Sequence, residues 1–208
     1  MKDRSKESDG LSLPLVEEFY SVQGEGWNTG KAAYFVRIGG CDLCCSWCDT
    51  KYAWNADLHP LADIGAIADR IMESGADSVV VTGGEPLMWN LDPLCALLRN
   101  NGIKTYLETS GAHPLTGSWD WITLSPKRES PPLPEIWKMA DELKVVITDG
   151  TDFERAEEYS TRVSPTCKLM LQPEWSRYRE MIAAITDYVK RNSRWMGSIQ
   201  AHKFMHIP

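Results

Sequence analysis

Between residues 41 and 48 the sequence places four cysteines, Cys41, Cys44, Cys45 and Cys48, in the stretch GGCDLCCSWCDT (39–50). Disulfides, a zinc knot and an iron–sulfur cluster are the chemistries that could use them. A chain kept in a reducing compartment seldom holds disulfides, so clustered thiols there point to metal or catalysis. A four-cysteine zinc site needs all four thiolates around one tetrahedral ion, which the adjacent Cys44 and Cys45 would strain to share. Three thiolates suit a four-iron cluster with one iron left open for a ligand. Two triplets can be drawn: Cys41, Cys45 and Cys48 (C-x3-C-x2-C), or Cys41, Cys44 and Cys48. The other two cysteines, Cys95 and Cys167, border apolar runs and read as small buried residues.

Such a loop needs a scaffold. With 208 residues, 43% hydrophobic and 25% charged, the chain is long enough for one domain with a full core, and disordered or collagen-like readings are excluded. A net charge of −7 argues against a nucleic-acid surface. No apolar run of about 18 residues is present, so no membrane span is expected. The polar start MKDRSKESDG lacks the apolar segment of a secretory leader. It reads as a flexible tail over 1–10, ahead of a single domain over 11–208 in a cytoplasmic protein.

Short β-branched or apolar runs at 33–38, 78–83, 104–109, 121–126, 143–148 and 168–173 read as strands. Helical patterns lie between several of them. Leu61, Ile64, Ile67, Ala68, Ile71 and Met72 share one face, with Gly75 just past the end. Asp92 and Pro93 read as an N-cap and first helical residue. Trp175, Tyr178, Met181, Ile182, Ile185, Tyr188 and Val189 form a long stripe expected to pack as core. Strand–helix alternation predicts an α/β fold of parallel strands with right-handed crossovers. Six strands are too few for a closed eight-stranded barrel, so an open, partial (β/α)6-type barrel is expected. Ligands then collect at the carboxyl ends of the strands. Those ends carry the cysteine loop, TGGEP (82–86), ETSG (108–111), SPK (125–127) and QPE (172–174). At TGGEP, Gly83 and Gly84 would let backbone approach a ligand, and Glu85 would offer a carboxylate to an ammonium group.

The C-x3-C-x2-C loop with Trp47 before its last cysteine, together with GGEP one βα unit later, resembles the radical S-adenosylmethionine (SAM) enzymes. Within them, EEFYSVQGEGWNTGKAAYFVRIGGCDLCCSWCDT (17–50) resembles the N-terminal signature of the 7-carboxy-7-deazaguanine synthase family, with QGEG and WCDT its most specific pieces. Cys44 departs from the pattern and leaves the middle ligand open between it and Cys45.

The resemblance implies a partial (β/α)6 barrel and a lyase of queuosine and related deazapurine biosynthesis. A reduced 4Fe–4S cluster would cleave SAM to a 5′-deoxyadenosyl radical. The radical would take a hydrogen atom from 6-carboxy-5,6,7,8-tetrahydropterin, whose ring contracts with loss of ammonia. By the same resemblance Cys41, Cys45 and Cys48 hold the cluster. Trp47, Gly84, Glu85, Glu108, Ser125, Pro126, Lys127, Gln172, Pro173 and Glu174 surround SAM. Substrate contacts fall to Val22, Gln23, Gly24, Glu25, Arg37, Thr82, His202 and the terminal carboxylate of Pro208. Thr50 meets a Mg²⁺ ion that bridges to the substrate. A homodimer and a flavodoxin or ferredoxin reductant are the family's habit. Two other readings are a glycyl-radical activating enzyme, which acts on a protein, and a zinc-stabilised module without catalysis. The apolar residues of the C-terminal tail, Phe204, Met205, Ile207 and Pro208, are expected to be packed.

Overall fold

A computed structural model of the chain describes residues 9–208. Positions 1–8 of the expected tail lie outside the described residues. Gly10 is buried at a φ of 75°, and a Cβ there would meet the Asn90 carbonyl oxygen at 2.5 Å.

In chain order come β1 (Ser12–Val22), β2 (Ala32–Ile38), β3 (Leu61–Asp63), α1 (Ile64–Glu73), β4 (Ser78–Gly83), α2 (Asp92–Asn100) and β5 (Lys104–Thr109). There follow β6 (Trp121–Leu124), α3 (Ile136–Met139), β7 (Glu142–Ile147), α4 (Thr151–Ser160), β8 (Lys168–Pro173), α5 (Tyr178–Arg191), β9 (Trp195–Gly197) and α6 (Ala201–Met205). Among the described residues the strands form one open nine-stranded sheet, ordered β3-β1-β2-β4-β5-β6-β7-β8-β9. The six strands expected from sequence are β2 and β4 to β8, side by side and parallel. The structure adds β9, parallel at one edge, and β1 and β3, antiparallel at the other. β1 escapes a period-two reading because its register against β2 shifts between Leu15 and Glu17, and Glu17 and Glu18 interrupt its apolar pattern.

The helices begin and end for local reasons. Asp63 Oδ1 accepts from Gly65 N at 2.9 Å and Ala66 N at 3.1 Å, capping α1, and Gly75 at a φ of 75° ends it. Leu61 therefore belongs to β3 and is exposed, and Met72 also falls outside the buried face that Ile64, Ile67, Ala68 and Ile71 form. Asp92 is the first residue of α2 rather than its cap, and its Oδ1 accepts from Gly117 N. The long stripe before β9 is narrower than expected. Trp175 lies exposed in a 3₁₀ turn, and only Met181 and Ile185 of α5 are fully buried.

Period-two alternation along the strands divides core from site. Val79, Val81, Leu107, Leu143, Val145 and Leu171 join the main hydrophobic core with Ile67 and Ile71 of α1 and Leu94 and Leu98 of α2. Cys95 and Cys167 are buried there, as their surroundings predict. The alternate residues Val80, Thr82, Glu108, Lys144, Val146 and Gln172 face a cavity instead. Helices cover the outward face, and side-chain chemistry is confined to the inward one.

Candidate active site

The cavity has a volume of about 580 Å³. Every site residue named from sequence lines it except Pro126. The thiols of Cys41, Cys45 and Cys48 border one end, whereas Cys44 is exposed, does not line the cavity and has a positive φ of 49°. All are free thiols. Thr50 N donates to Cys48 Sγ at 3.4 Å, and Thr50 Oγ1 lies 3.5 Å from the same sulfur. Burial pushes the Cys41 thiol up to about 11 and raises Cys45 as well, although the Lys127 charge works against the latter. Lys127 Nζ lies 5.5 Å from the Trp47 ring centroid and donates to Ser125 O and Ser125 Oγ at 2.7 and 2.8 Å.

The GGEP strand end has a different physical basis from the expected one. A Cβ on Gly83 would lie 2.0 Å from Ile38 O, and one on Gly84 would lie 2.2 Å from Gly40 O. The glycines let the end of β4 press against the start of the cysteine loop, where Gly84 N and Glu85 N donate to Ile38 O and Gly40 O. The Glu85 carboxylate is buried and already taken by protein donors. Its Oε1 accepts from Leu87 N and Thr109 Oγ1, and its Oε2 from Ser110 N and Ser110 Oγ. Glu85 thus ties β4 to β5. Glu174 is likewise spent, capping the 3₁₀ turn Trp175–Arg177 through Ser176 N and Arg177 N.

In the same cavity Glu25 is held from three sides. Lys144 Nζ donates to its Oε2 at 2.7 Å, Gln172 Nε2 to the same oxygen at 3.0 Å, and Gln200 Nε2 to its Oε1 at 2.9 Å. Burial works against the carboxylate, but the Lys144 charge and these hydrogen bonds bring it down to about 2. Lys144 Nζ also reaches Glu108 Oε2 at 2.8 Å. Glu108 is raised, first by burial and then by the Glu25 charge, because beyond Lys144 it gains only a 3.4 Å contact from Gln23 Nε2. Lys144 itself, 7% exposed at its side chain, is held above its ordinary value by its carboxylate neighbours in spite of burial.

The rim is closed by the C-terminal segment. Ala201 N donates to Gly24 O at 2.8 Å, and a Cβ on Gly24 would fall 2.3 Å from His202 Nδ1. Burial lowers His202, which keeps the ring neutral at physiological pH. Arg37 Nε donates to Glu17 Oε1 at 2.6 Å. Asp49 Oδ2 accepts from Gln200 Nε2 and Lys203 Nζ, which join the cysteine loop to the tail. The tail is less packed than expected. Phe204 and Met205 are about half exposed and Pro208 is exposed, although Ser21 Oγ donates to Pro208 O at 3.3 Å.

Comparison with known proteins meets this geometry. The Radical SAM superfamily model matches residues 35–125, from β2 to the end of β6. The chain is 49% identical over 199 residues to the 7-carboxy-7-deazaguanine synthase of Flavobacterium psychrophilum, covering 96% of this chain and 94% of the relative. It is 44% identical to that of Synechocystis over 197 residues, covering 95% and 94%. The chain belongs to the 7-carboxy-7-deazaguanine synthase family. The crystal structure of QueE from Escherichia coli has the same fold, with a TM-score of 0.81 at 30% identity, covering 94% of this chain and all of that one. The chain is accordingly a radical SAM enzyme, and that class of domain works with a 4Fe–4S cluster and SAM.

The donor set suits these groups. Three free thiols border one cavity end, and among the described residues no three His, Cys, Asp or Glu side chains converge as a single metal ion would require. Cysteine thiolates are the ligands that hold a 4Fe–4S cluster. Lys144, Gln200 and Asp49 are cavity residues that sequence reasoning for this synthase missed. Lys144 carried a signal, a lone cation at an inward position of the apolar run ELKVVIT (142–148). Gln200 and Asp49 carried none beyond proximity to named residues. No described helix is long and apolar enough to cross a membrane.

Proposed function

We propose that this chain carries out the ring contraction of 6-carboxy-5,6,7,8-tetrahydropterin to 7-carboxy-7-deazaguanine with loss of ammonia, using the residues of this cavity in the following roles. The observation that carries the reading is that one cavity is lined by both the three-thiol loop and the ionised Glu25. Cys41, Cys45 and Cys48 would hold the cluster. When bound, the cluster and SAM supply the 5′-deoxyadenosyl radical that takes the substrate hydrogen. Trp47, Ser125 and Lys127 line the cofactor side, with Gly84, Glu108, Gln172 and Pro173 along the strand ends. Glu85 and Glu174 act by shaping that rim, since their carboxylates are occupied by protein donors.

Glu25, whose Oε1 takes only the Gln200 bond and so keeps one acceptor position, accepts an N–H from the amine and amide edge of the pterin, with Gln23 beside it, and Arg37 binds the substrate carboxylate. Val22, Gly24, Thr82 and His202 complete the wall, and the Pro208 carboxylate reaches the ring. Thr50 offers one hydroxyl to a Mg²⁺ ion, which keeps most of its waters and needs few protein ligands. The family's homodimer, its flavodoxin or ferredoxin reductant and a cytoplasmic location belong to the same proposal. Anaerobic reconstitution with iron and sulfide, followed by turnover of the tetrahydropterin with SAM and Mg²⁺, tests it. Brown, iron-loaded protein that releases ammonia and forms the deazaguanine is the expected result. Iron-loaded protein that leaves the pterin untouched while generating a glycyl radical on a peptide would overturn it.

A further inference from the structure

Lys144 is a buried cavity residue whose ammonium is shared by two carboxylates given to different ligands. Its ammonium sits 2.7 Å from Glu25 Oε2 and 2.8 Å from Glu108 Oε2, carboxylates brought from the β1–β2 connection and from β5. We propose that Lys144 is a positioning residue that couples the two ligand sites, fixing the substrate carboxylate Glu25 and the cofactor carboxylate Glu108 through one shared cation. The inference rests on the reading of Glu25 and Glu108 given above and adds a link between them.

The physical case begins with burial. A lysine this enclosed is tolerated only when paired, and removing it strands two carboxylates in a desolvated space. The groups facing it are Glu142 from its own strand, Glu108 from β5 and Glu25 from the loop after β1, with the more distant Lys127 and His202 also acting on it electrostatically. Three carboxylates thus share one nearby ammonium. Glu25 is secured further by Gln172 and Gln200, whereas Glu108 depends chiefly on Lys144. A ligand that fixes Glu108 therefore also fixes the ammonium, and through it one donor of Glu25. The ordering cost is then met once for two binding events, which makes each ligand improve the other's affinity by the same factor. Lys144 is too firmly protonated to act as a base, so its effect is on placement rather than proton transfer.

The test uses anaerobic, cluster-loaded protein. Dissociation constants for the tetrahydropterin are measured by titration with and without SAM, in the parent, K144M, K144R and the double variant K144M/E108Q. Iron content and the thermal unfolding midpoint verify that each is folded. In K144M, substrate binding weakens at least tenfold and the SAM-dependent gain falls to about one. K144M/E108Q recovers most of the substrate affinity, because the stranded second charge is gone, but does not recover the gain. K144R keeps an intermediate gain. If K144M does not fold, K144R against K144R/E108Q supplies the same comparison, since the smaller gain of K144R must vanish when Glu108 is lost. A SAM-dependent gain that survives in K144M, or that survives loss of Glu108 in either background, overturns the proposal. An E25Q variant, run alongside, separates the two ideas. Undiminished substrate binding there would refute the role given to Glu25, whatever Lys144 does.

Discussion

The thiol side and the Glu25 side of the cavity are built differently. At the Glu25 end the protein alone satisfies the ionised group, with Lys144, Gln172 and Gln200 already in hydrogen-bonding position and Ser198 Oγ in turn donating to Gln172 Oε1 at 2.8 Å. At the thiol end burial raises Cys41 and Cys45, and the loop that carries them has few internal hydrogen bonds. Iron must displace protons from these sulfurs when it binds, as metal binding to thiolates generally does. The substrate side therefore has its hydrogen bonds within the chain, with Lys144 shared between Glu25 and Glu108 as the part a ligand can still fix, and the cofactor side is completed by the group it holds.

The largest effects should come from the end that its ligand completes. Cys41→Ala, Cys45→Ala and Cys48→Ala are each expected to lose the cluster and all measurable turnover. Cys44→Ala should keep both, because its exposed side chain does not line the cavity. Iron analysis and visible absorption after reconstitution check this. Loss of iron in Cys44→Ala with retention in Cys45→Ala would reverse the assignment.

The preorganised end predicts a smaller and different response. Glu25→Gln keeps the shape but leaves Lys144 one charge short, which should cost about 3 kcal/mol of substrate binding, or ~100-fold in KM. Iron content should remain parental. Because Glu25 is lowered to about 2, its contribution is fully present above the ordinary carboxylate value of 4.5 and disappears only as pH falls toward 2. No acid limb in KM between pH 5 and 8 should therefore trace to Glu25, and a limb there that Glu25→Gln abolishes would contradict this electrostatic picture.

How legible the two ends were follows from the same contrast. The cysteine loop and the strand-end motifs are local in sequence, so their residue types and spacing announced them, and the six parallel strands followed from alternation with helices. The expected function of GGEP was less visible. Gly83 and Gly84 answer to the backbone of Ile38 and Gly40, more than forty residues away in sequence, and no local pattern reports such an approach. The same holds for Lys144, whose meaning lies in two carboxylates 36 and 119 positions distant. β1 was hidden because a bulge and two glutamates break its alternation, and β3 and β9 are only three residues long. The C-terminal apolar residues read as packed, yet Phe204 gathers with the aromatic rings of Trp175 and Tyr178 while staying about half exposed.

Behind the Glu25 end lies a carboxylate that is not satisfied. Glu142 is 1% exposed; its Oε2 accepts from Trp27 N at 3.1 Å, and the Trp121 indole N–H is its other nearby donor, too poorly placed for a regular hydrogen bond. Burial and then the Glu108 charge push it up to about 7 from an ordinary 4.5. The folded state therefore binds this proton more tightly than the unfolded chain does. Stability from this group is complete below about 4.5 and is lost as pH rises to about 7. The span of that loss is about 3 kcal/mol. Glu142→Gln should remove this slope, so that its unfolding midpoint exceeds the parent's above pH 7 by more than at pH 5. Parallel midpoint curves across that range would show Glu142 to be ionised throughout.

The smallest expected effect concerns the lid of the cavity. His206 adopts a left-handed φ of 54°, which turns the chain after α6 so that Ile207 and Pro208 return to the cavity wall. Ile207 N donates to His202 O at 3.2 Å, anchoring the turn beside the ring that packs on Gly24. Pro208 itself is exposed, its carbonyl oxygen held by Ser21 Oγ at 3.3 Å, so this end of the tail is neither desolvated nor locked. An exposed, charge-assisted contact of this kind contributes little, and losing it should raise the substrate KM by roughly threefold to tenfold. Appending three glycines after Pro208 moves the carboxylate away while leaving the Ile207 hydrogen bond and the Phe204 ring contacts intact. Iron content, SAM affinity and the unfolding midpoint should not change. A larger fall, with SAM affinity also reduced, would mean that the tail belongs to the preorganised structure rather than to its lid. Kinetics identical to the parent would remove Pro208 from the substrate site.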